Sequence, residues 1–372
     1  MKKLTSLALI LLLTTLPALA QPWSTKKANK WYKKQPWLVG ANYVPANAIN
    51  QIEMWQAETW SPQLIDRELG WAEGLGMNTM RVFLHDMVWK QDPKAFKDRL
   101  DEFLTICKKH NIRPMIVLFD SVWDPEPRLG KQREPKQGLH NSGWVQGPGA
   151  AVLGDKSQWG YLRDYVKDVI GSFRKDKRIL AWDLVNEPDN DNGNSYGRTS
   201  RTKTELPNKA QLGFELVKES FNWAREENPM QPITSGPWHS NWASNETMGE
   251  MNRFLLENSD IITFHNYDKP EDFQKRVTQL QRYGRPIICT EYMARPVGST
   301  FQAILPIAKS NKVGAINWGF VAGKSNTIYP WDSWQKAYDK EPPVWFHDIF
   351  RENGQPYRPE EVAFIKQMTG KR

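Results

Sequence analysis

Short apolar segments typical of β-strands alternate with segments of helical spacing along most of this 372-residue chain. Alternation of this kind predicts parallel strands joined by right-handed crossovers, because each helix carries the chain back to the start of the next strand. The predicted strands fall within residues 37–43, 78–84, 113–119, 179–186, 232–235, 261–265, 286–291 and 313–318. The predicted helices fall within residues 62–75, 94–110, 158–174, 209–227, 247–257, 271–283, 300–309 and 360–368.

Eight strand–helix units fit a closed (β/α)8 barrel, the TIM-barrel fold, which places the chain in the α/β class. The alternative is an open doubly wound sheet, which is expected to carry a glycine-rich phosphate turn after an early strand. The sequence shows no such turn and no internal repeat beyond the alternation. We therefore predict a single barrel domain over residues 21–372.

The first residues have the pattern of a targeting segment rather than of a folded element. Two lysines near the start precede a mostly apolar run at residues 4–16, and Ala18-Leu19-Ala20 fits a small-x-small cleavage site. This pattern predicts a secretory signal peptide over residues 1–20, and hence a secreted or periplasmic protein.

The formal net charge of +8 comes from lysines and arginines that are scattered along the chain. No basic helix with interleaved aromatic residues is visible, so we expect no nucleic-acid partner. No segment after the signal peptide is long and apolar enough to predict a membrane span. The two cysteines, Cys107 and Cys289, each lie within an apolar pattern. We expect buried thiols, although the sequence leaves their pairing open.

Tryptophan is unusually informative, with 18 residues in the chain. Its flat apolar face and polar N–H suit stacking against a sugar ring. Several tryptophans lie in segments that resemble loops: Trp55, Trp60, Trp123, Trp144, Trp238, Trp242, Trp331 and Trp334. Together they favour a carbohydrate ligand.

Three connections are much longer than the others: residues 120–157, 188–208 and 319–359. All three follow predicted strands, and in a barrel such loops lie at the C-terminal face, where active sites are built. Their length predicts an enclosed site, which favours exo-action or short oligosaccharides over an open cleft.

Two glutamates end predicted strands of the barrel. Glu187 ends the fourth strand within Asn186-Glu187-Pro188, and Glu291 ends the seventh. Because both lie at strand C-termini, they can face each other across the barrel mouth. Paired carboxylates suit cleavage of a glycosidic bond, in which one donates a proton and the other attacks the anomeric carbon. Mutual repulsion raises the pKa of the acid.

This arrangement resembles that of clan A retaining glycoside hydrolases, notably the cellulase-like family 5. The resemblance covers nearly the whole chain after the signal peptide, and it implies that Glu187 is the general acid/base and Glu291 the nucleophile. It also implies substrate-binding or supporting roles for Asn42, Arg81, Asn186, His265, Tyr267 and Trp318. In the family, an arginine contacts the nucleophile, an asparagine binds the sugar 2-hydroxyl and a tryptophan lies under the sugar.

The chain departs from the family pattern at the end of the third strand, where many members carry a histidine and this sequence reads Phe119-Asp120. His85 shares a strand face with Arg81 if the two-residue alternation continues. It then either supplies a polar contact to the substrate or is a satisfied core histidine, and both interpretations stay open.

Residues 189–193 are rich in oxygen ligands and resemble part of a calcium loop. However, Gly193 falls where that pattern needs a ligand, and no downstream glutamate has the required spacing. We predict a solvated polar loop, no metal and no cofactor.

The sequence therefore predicts a monomeric retaining β-glycosidase that hydrolyses a β-linked glycan of mannan, glucan, xylan or galactan type. Transglycosylation at the same site is one alternative, because water and a sugar acceptor compete for the same covalent intermediate. A catalytically silent carbohydrate-binding barrel is another, although such a protein is expected to have lost Glu187, Glu291, Arg81 or Tyr267.

Overall fold

The computed structural model describes residues 21–192 and 205–371, so the predicted signal peptide lies outside the described part. Eight strands form one parallel sheet. They are β1 (Val39–Asn42), β2 (Thr79–Phe83), β3 (Met115–Asp120), β4 (Ala181–Asn186), β5 (Ile233–Thr234), β6 (Ile262–His265), β7 (Ile287–Glu291) and β8 (Gly314–Asn317). Every predicted strand is present.

The strand order is β5-β4-β3-β2-β1-β8-β7-β6, so the first strand pairs with the last and the sheet curls into a barrel. The remaining seam lies between β5 and β6. There the Asp260 N–H donates to the Ile233 carbonyl at 2.8 Å, and the Thr234 and Thr263 hydroxyls are 2.9 Å apart. The predicted (β/α)8 barrel is confirmed. The open doubly wound sheet is excluded, because its first and last strands would not pair.

Within the described ranges, helices follow the strands as the alternation predicts, one further helix precedes β1, and three short helices are added in the loops. The helices are α1 (Thr25–Tyr32), α2 (Gln51–Trp55), α3 (Pro62–Gly74), α4 (Asp86–Gln91), α5 (Pro93–Lys109), α6 (Ala150–Leu153), α7 (Trp159–Phe173), α8 (Lys209–Glu226), α9 (Glu250–Asn258), α10 (Pro270–Gln281), α11 (Phe301–Ser310) and α12 (Pro359–Thr369). The additions α2, α4 and α6 lack the length that makes apolar periodicity visible in a sequence.

Helix α5 shows how local sequence sets an element. The Asp92 carboxylate accepts from the Ala95 N–H at 3.0 Å and caps the helix, and Pro93 occupies the first position, where a missing N–H costs nothing. Its buried side chains recur at helical spacing: Phe96, Leu100, Phe103, Leu104 and Cys107. The helix predicted within residues 247–257 begins only at Glu250, because Gly249 has a left-handed φ of 71° that cannot continue a helix.

An apolar layer fills the N-terminal end of the barrel, away from the predicted site. It consists of Leu38, Met115, Leu180, Ala181, Ile261, Ile288 and Ile316. Helix α1 covers this layer with Trp31 and Tyr32, and the Tyr32 hydroxyl donates to the Lys312 carbonyl at 2.9 Å. Helix α1 therefore closes the N-terminal end of the barrel, and the predicted site lies at the opposite, C-terminal end.

The two cysteines do not form a disulfide bond in this fold. Cys107 and Cys289 are both buried and free, and burial raises the pKa of both thiols. Within the described ranges, no helix has the length and apolar character needed to cross a membrane.

Candidate active site

Glu187 follows the last residue of β4 and has a backbone conformation that few side chains adopt. Its φ is +44°, in the left-handed region, which is uncommon for residues other than glycine; residues held in such conformations cluster at active sites. The strand therefore turns sharply at this point, and the Asn190 N–H donates to the Glu187 carbonyl at 2.9 Å to close the turn. The side chain is buried.

Glu291 ends β7 and both of its carboxylate oxygens accept short hydrogen bonds. Arg81 Nη1 donates to Oε1 at 2.9 Å, and the Tyr267 hydroxyl donates to Oε2 at 2.6 Å. Two donors to one buried carboxylate, one of them cationic, favour its ionised form.

Arg81 lies at the centre of the barrel mouth and is almost fully buried. Besides Glu291, it donates from Nη2 to Asn186 Oδ1 at 2.8 Å, from Nη1 to Asn42 Oδ1 at 2.9 Å and from Nε to Asp183 Oδ2 at 3.0 Å. A guanidinium with this many fixed partners is rigid. Asn42 therefore contacts the arginine, rather than lining the pocket beside the two glutamates.

His265 bridges the two glutamates. A register shift in the β6–β7 pairing at Phe264 and His265 re-aims this side chain, as bulges do near active sites. Its Nδ1 lies 2.7 Å from Glu187 Oε1 and 3.5 Å from Glu291 Oε2. Burial lowers the pKa of His265 to about 4, so the ring is neutral at pH 7. One oxygen of each glutamate and one nitrogen of the histidine all lie within 4.8 Å of one another.

The two glutamates have different electrostatic surroundings. Burial raises the pKa of Glu187 to about 7, opposed mainly by the amide of Asn190, which donates to its Oε2 at 2.6 Å. Burial also raises the pKa of Glu291, and the nearby charge of Glu187 adds to the rise; His265, the charge of Arg81 and the hydrogen bond from Tyr267 oppose it. The direct contact with the guanidinium distinguishes Glu291 and makes it the carboxylate that stays ionised when the pair holds a single proton.

The trio of Glu187, His265 and Glu291 has the residue types of a metal site. However, the two oxygens of Glu291 already accept from Arg81 and Tyr267, and a guanidinium in direct contact opposes a cation. We therefore assign no metal to this trio.

The oxygen-rich segment after β4 supports Glu187. Asp189 accepts from Trp238 Nε1 at 2.7 Å and lies 2.6 Å from His239 Nε2, while Asn190 donates to Glu187. The segment is polar, but it is less solvated than predicted: Asp189 and Asn190 are half-buried and Asn192 is buried. Gly193 lies outside the described residues.

A pocket of about 440 Å³ opens above the glutamates, within the usual size of a ligand site. Four tryptophans line it: Trp123, Trp238, Trp318 and Trp331. Two other members of the set that favoured a carbohydrate ligand, Trp55 and Trp242, are fully buried in the core. Trp55 lies on α2, which the sequence pattern did not reveal, and Trp60 stacks on it at a centroid distance of 5.5 Å.

The remaining two tryptophans of that set pack behind the pocket wall. Trp334 stacks on Trp123 with ring centroids 5.5 Å apart. Trp144 packs edge-on against Trp318 at 5.8 Å, and it is buried. Both therefore orient a tryptophan that lines the pocket.

His85 is not among the residues that line this pocket. Strand β2 ends at Phe83, so the alternation that would place His85 beside Arg81 does not continue. Its Nδ1 accepts from the Met87 N–H at 3.2 Å and caps α4, and its Nε2 lies 2.9 Å from the Gln146 carbonyl. Both ring nitrogens are satisfied in the core, which favours the interpretation of His85 as a core histidine over that of a substrate contact.

Asp120 is a pocket residue whose part in the site the sequence did not reveal. Its Oδ1 accepts from Asn186 Nδ2 at 2.9 Å and its Oδ2 accepts from Trp144 Nε1 at 2.6 Å. Burial raises the pKa of Asp120 to about 6. With Arg81 on the Asn186 oxygen and Asp120 on the nitrogen, the amide has one fixed orientation. The only signal in the sequence was the departure from histidine at this strand end.

A barrel with two buried glutamates meeting at the C-terminal ends of β4 and β7 defines the class of two-carboxylate glycoside hydrolases. Residues 42–324 match the family described as cellulase, glycosyl hydrolase family 5. The chain belongs to this family.

The chain also resembles individual proteins in sequence and in fold. A β-1,4-xylanase of Dictyoglomus thermophilum is 32% identical over 85 residues, which are 23% of this chain and 22% of that protein. The exo-β-1,4-mannosidase Op5Man5 from Opitutaceae bacterium strain TAV5 has a similar fold, with a TM-score of 0.60 and 18% identity over 90% of this chain and 60% of that one. An endo-β-1,4-mannanase from Thermotoga petrophila gives a TM-score of 0.56 and 16% identity. The match covers 91% of this chain and 77% of that one. At these identities the structures establish the fold alone.

Proposed function

We propose that the protein is a retaining β-glycosidase that cleaves a β-linked glycan by double displacement. The observation that carries the proposal is the short separation of Glu187 and Glu291. One carboxylate oxygen of Glu187 lies within 4.8 Å of one carboxylate oxygen of Glu291. Retaining enzymes hold their carboxyl groups about 5–5.5 Å apart, whereas inverting enzymes need roughly 6.5–9.5 Å to admit a water.

In the first step, a Glu291 oxygen attacks the anomeric carbon and forms a glycosyl ester, while the bond to the leaving oxygen breaks. Glu187 transfers its proton to that oxygen. Arg81 and Tyr267 hold Glu291 ionised and aimed before attack, which lowers the reorganisation needed in the transition state. In this scheme Trp318 lies under the reacting sugar, and Asn186 presents its amide to the 2-hydroxyl.

In the second step, Glu187 is a carboxylate and removes a proton from water. The water oxygen attacks the anomeric carbon, the ester bond breaks and Glu291 is released as a carboxylate. Each attack inverts the anomeric centre, so the product keeps the β configuration. A sugar hydroxyl in place of water gives transglycosylation from the same intermediate.

The substrate class is tested with a panel of β-mannan, β-glucan, xylan and β-galactan, with release of new reducing ends as the readout. We expect turnover of at least one member, and the double variant Glu187→Gln/Glu291→Gln controls for contaminating enzymes. Calorimetric binding to a glycan without product from any of the four would support the silent binding protein instead. Export through the predicted signal peptide would bring the enzyme to such polymers outside the cytoplasm.

The rate is expected to fall as pH rises through about 7. Because burial raises the pKa of Glu187 to about 7, the proton needed by the leaving group is present below that pH and is lost above it. We expect kcat/KM to decrease about tenfold per pH unit well above pH 7. The measurement is a profile of kcat/KM on an aryl glycoside with a poor leaving group. In Glu187→Ala this basic limb should be absent, and an unchanged limb would contradict the assignment.

A further inference from the structure

The loops that follow β3 and β8 are joined to each other over one side of the barrel mouth. The His140 N–H donates to Ser333 Oγ at 2.9 Å, and His140 Nδ1 lies 2.8 Å from the Tyr329 carbonyl. The Tyr338 N–H donates to the Gly138 carbonyl at 2.9 Å. These contacts make one continuous wall from two loops, here called the β3–β8 wall and defined as residues 136–144 with residues 326–347.

Gly138 is the tightest point of this junction. Its φ is +72°, and a Cβ built on it would lie 1.7 Å from the Tyr338 carbonyl oxygen. Only glycine allows so close an approach of the two backbones. Gly130 lies in the same loop and has a φ of +87°, yet a Cβ there would meet nothing within 4 Å. Both glycines have a left-handed φ, but only Gly138 lies where the two loops meet.

The inner face of the wall reaches the residues that hold Glu291. The rings of Trp331 and His347 pack against Tyr267 with centroid distances of 5.1 Å and 5.6 Å. Tyr267 in turn donates to Glu291. In the covalent intermediate the glycone is bonded to Glu291, so the wall stands on the glycone side. The leaving group departs past the residues around Glu187, where Asn190 and Trp238 line the pocket.

His347 contributes an acceptor to this face. It is fully buried, lines the pocket, and uses Nδ1 to hydrogen-bond with the Met293 carbonyl, which requires the proton to be on Nδ1. Burial holds the pKa of His347 well below its usual range, so Nε2 carries no second proton. Among the residues that the structure describes, Nε2 has no hydrogen-bond partner. A buried acceptor left in this state is unfavourable, and a sugar hydroxyl satisfies it.

We propose that the protein acts in exo mode. The β3–β8 wall ends the glycone side of the pocket, so that only the non-reducing end of a β-linked chain enters, and His347 Nε2 accepts a hydrogen bond from a hydroxyl of the terminal sugar. This inference rests on the proposed glycosidase function and adds to it the part of the glycan that is recognised.

The first test is the product pattern from β-1,4-linked manno-, cello-, xylo- and galacto-hexasaccharides labelled at the reducing end. Exo-action predicts that the labelled fragment shortens from the start by one fixed increment. Labelled fragments of several lengths from the earliest time points would overturn the exo mode while leaving the glycosidase function intact. Failure to cleave any β-glycan would instead overturn the proposed function and, with it, this inference.

The wall itself is tested with Gly138→Ala, and Gly130→Ala is the matched control. Both place alanine at a left-handed φ, but only the first forces the two loops apart. Internal cleavage products are expected from Gly138→Ala and not from Gly130→Ala. If Gly138→Ala is folded by circular dichroism and keeps the product pattern of the wild type, the wall does not set the exo mode.

The role of His347 is tested with His347→Ala on aryl β-glycosides of the hydrolysed sugar and on their monodeoxy analogues. We expect His347→Ala to lose about tenfold or more in kcat/KM on the parent sugar. One deoxy sugar should cause a similar loss in the wild type and no further loss in the variant. If every deoxygenation lowers the rate of the variant as much as that of the wild type, Nε2 does not bind a substrate hydroxyl.

Discussion

Replacing Glu291 with alanine is expected to lower kcat on natural glycans by about 10⁴-fold or more, because no other group can form the covalent intermediate. The Arg81 guanidinium and the Tyr267 hydroxyl, which now donate to Glu291 at 2.9 Å and 2.6 Å, are left facing an empty space. That space is cationic and suits a small anion. Steady-state kinetics on a glycan and on an activated aryl β-glycoside provide the measurement.

Added azide should restore part of the activity of Glu291→Ala on the activated glycoside. Azide then attacks the anomeric carbon directly from the vacated side, so the product is the α-glycosyl azide. Glu291→Gln is the matched control, because the amide fills the site and admits no azide. Near-normal turnover by Glu291→Ala without azide would show that another residue is the nucleophile.

Replacing Glu187 with alanine is expected to reduce kcat/KM on natural glycans by about 10²–10⁴-fold, the usual contribution of a general acid. The loss should be much smaller on an aryl glycoside with a good leaving group, such as 2,4-dinitrophenol, because such a group departs without a proton. The second step still lacks its base, so the intermediate should accumulate and give a burst of released phenol. Stopped-flow detection of the phenol measures both effects.

Azide distinguishes the two glutamates in this variant as well. In Glu187→Ala it attacks the intermediate from the face opposite Glu291, so the product is the β-glycosyl azide. Glu187→Gln keeps the shape of the side chain and tests whether the loss comes from the proton rather than from the space. Equal losses on natural and activated substrates would argue against an acid role.

The barrel and the meeting of the two glutamates were predictable because both follow from local pattern. The periodicity of a strand or a helix can be recognised from residues that are close in sequence. The parallel strands of a barrel all end at the same face. In the register of the sheet, Asp120 is opposite Asn186 and His265 pairs with Glu291, so strand ends that are distant in sequence become adjacent. The order of the strands alone is sufficient to predict that Glu187 and Glu291 meet.

Contacts made by loops were not predictable in this way. Trp55 lies in a segment that resembles a loop in the sequence. In the structure, Asn50 caps helix α2, and the Trp55 side chain on this helix is buried in the core. His85 lies two residues past the end of β2, where the backbone no longer alternates and the ring caps α4 instead. Such outcomes depend on hydrogen bonds between distant residues, which periodicity does not encode.

Asp120 and His347 illustrate the same limit at the site itself. The carboxylate of Asp120 orients Asn186, and the ring of His347 reaches the pocket only because the loop after β8 folds back over the barrel mouth. Neither position belongs to a local motif. The nearness of Asp120 to Asn186 follows from strand register, but its contact with Trp144 and the placement of His347 depend on loop paths that sequence patterns leave open.

The anomeric configuration of the first product tests the central claim most directly. Proton NMR of an aryl β-glycoside of the hydrolysed sugar, recorded in the first minutes before mutarotation, distinguishes the two anomers. Double displacement through Glu291 predicts that the β-anomer appears first and that the α-anomer grows only at the rate of spontaneous mutarotation. First appearance of the α-anomer would contradict the covalent intermediate and the roles proposed for Glu187 and Glu291.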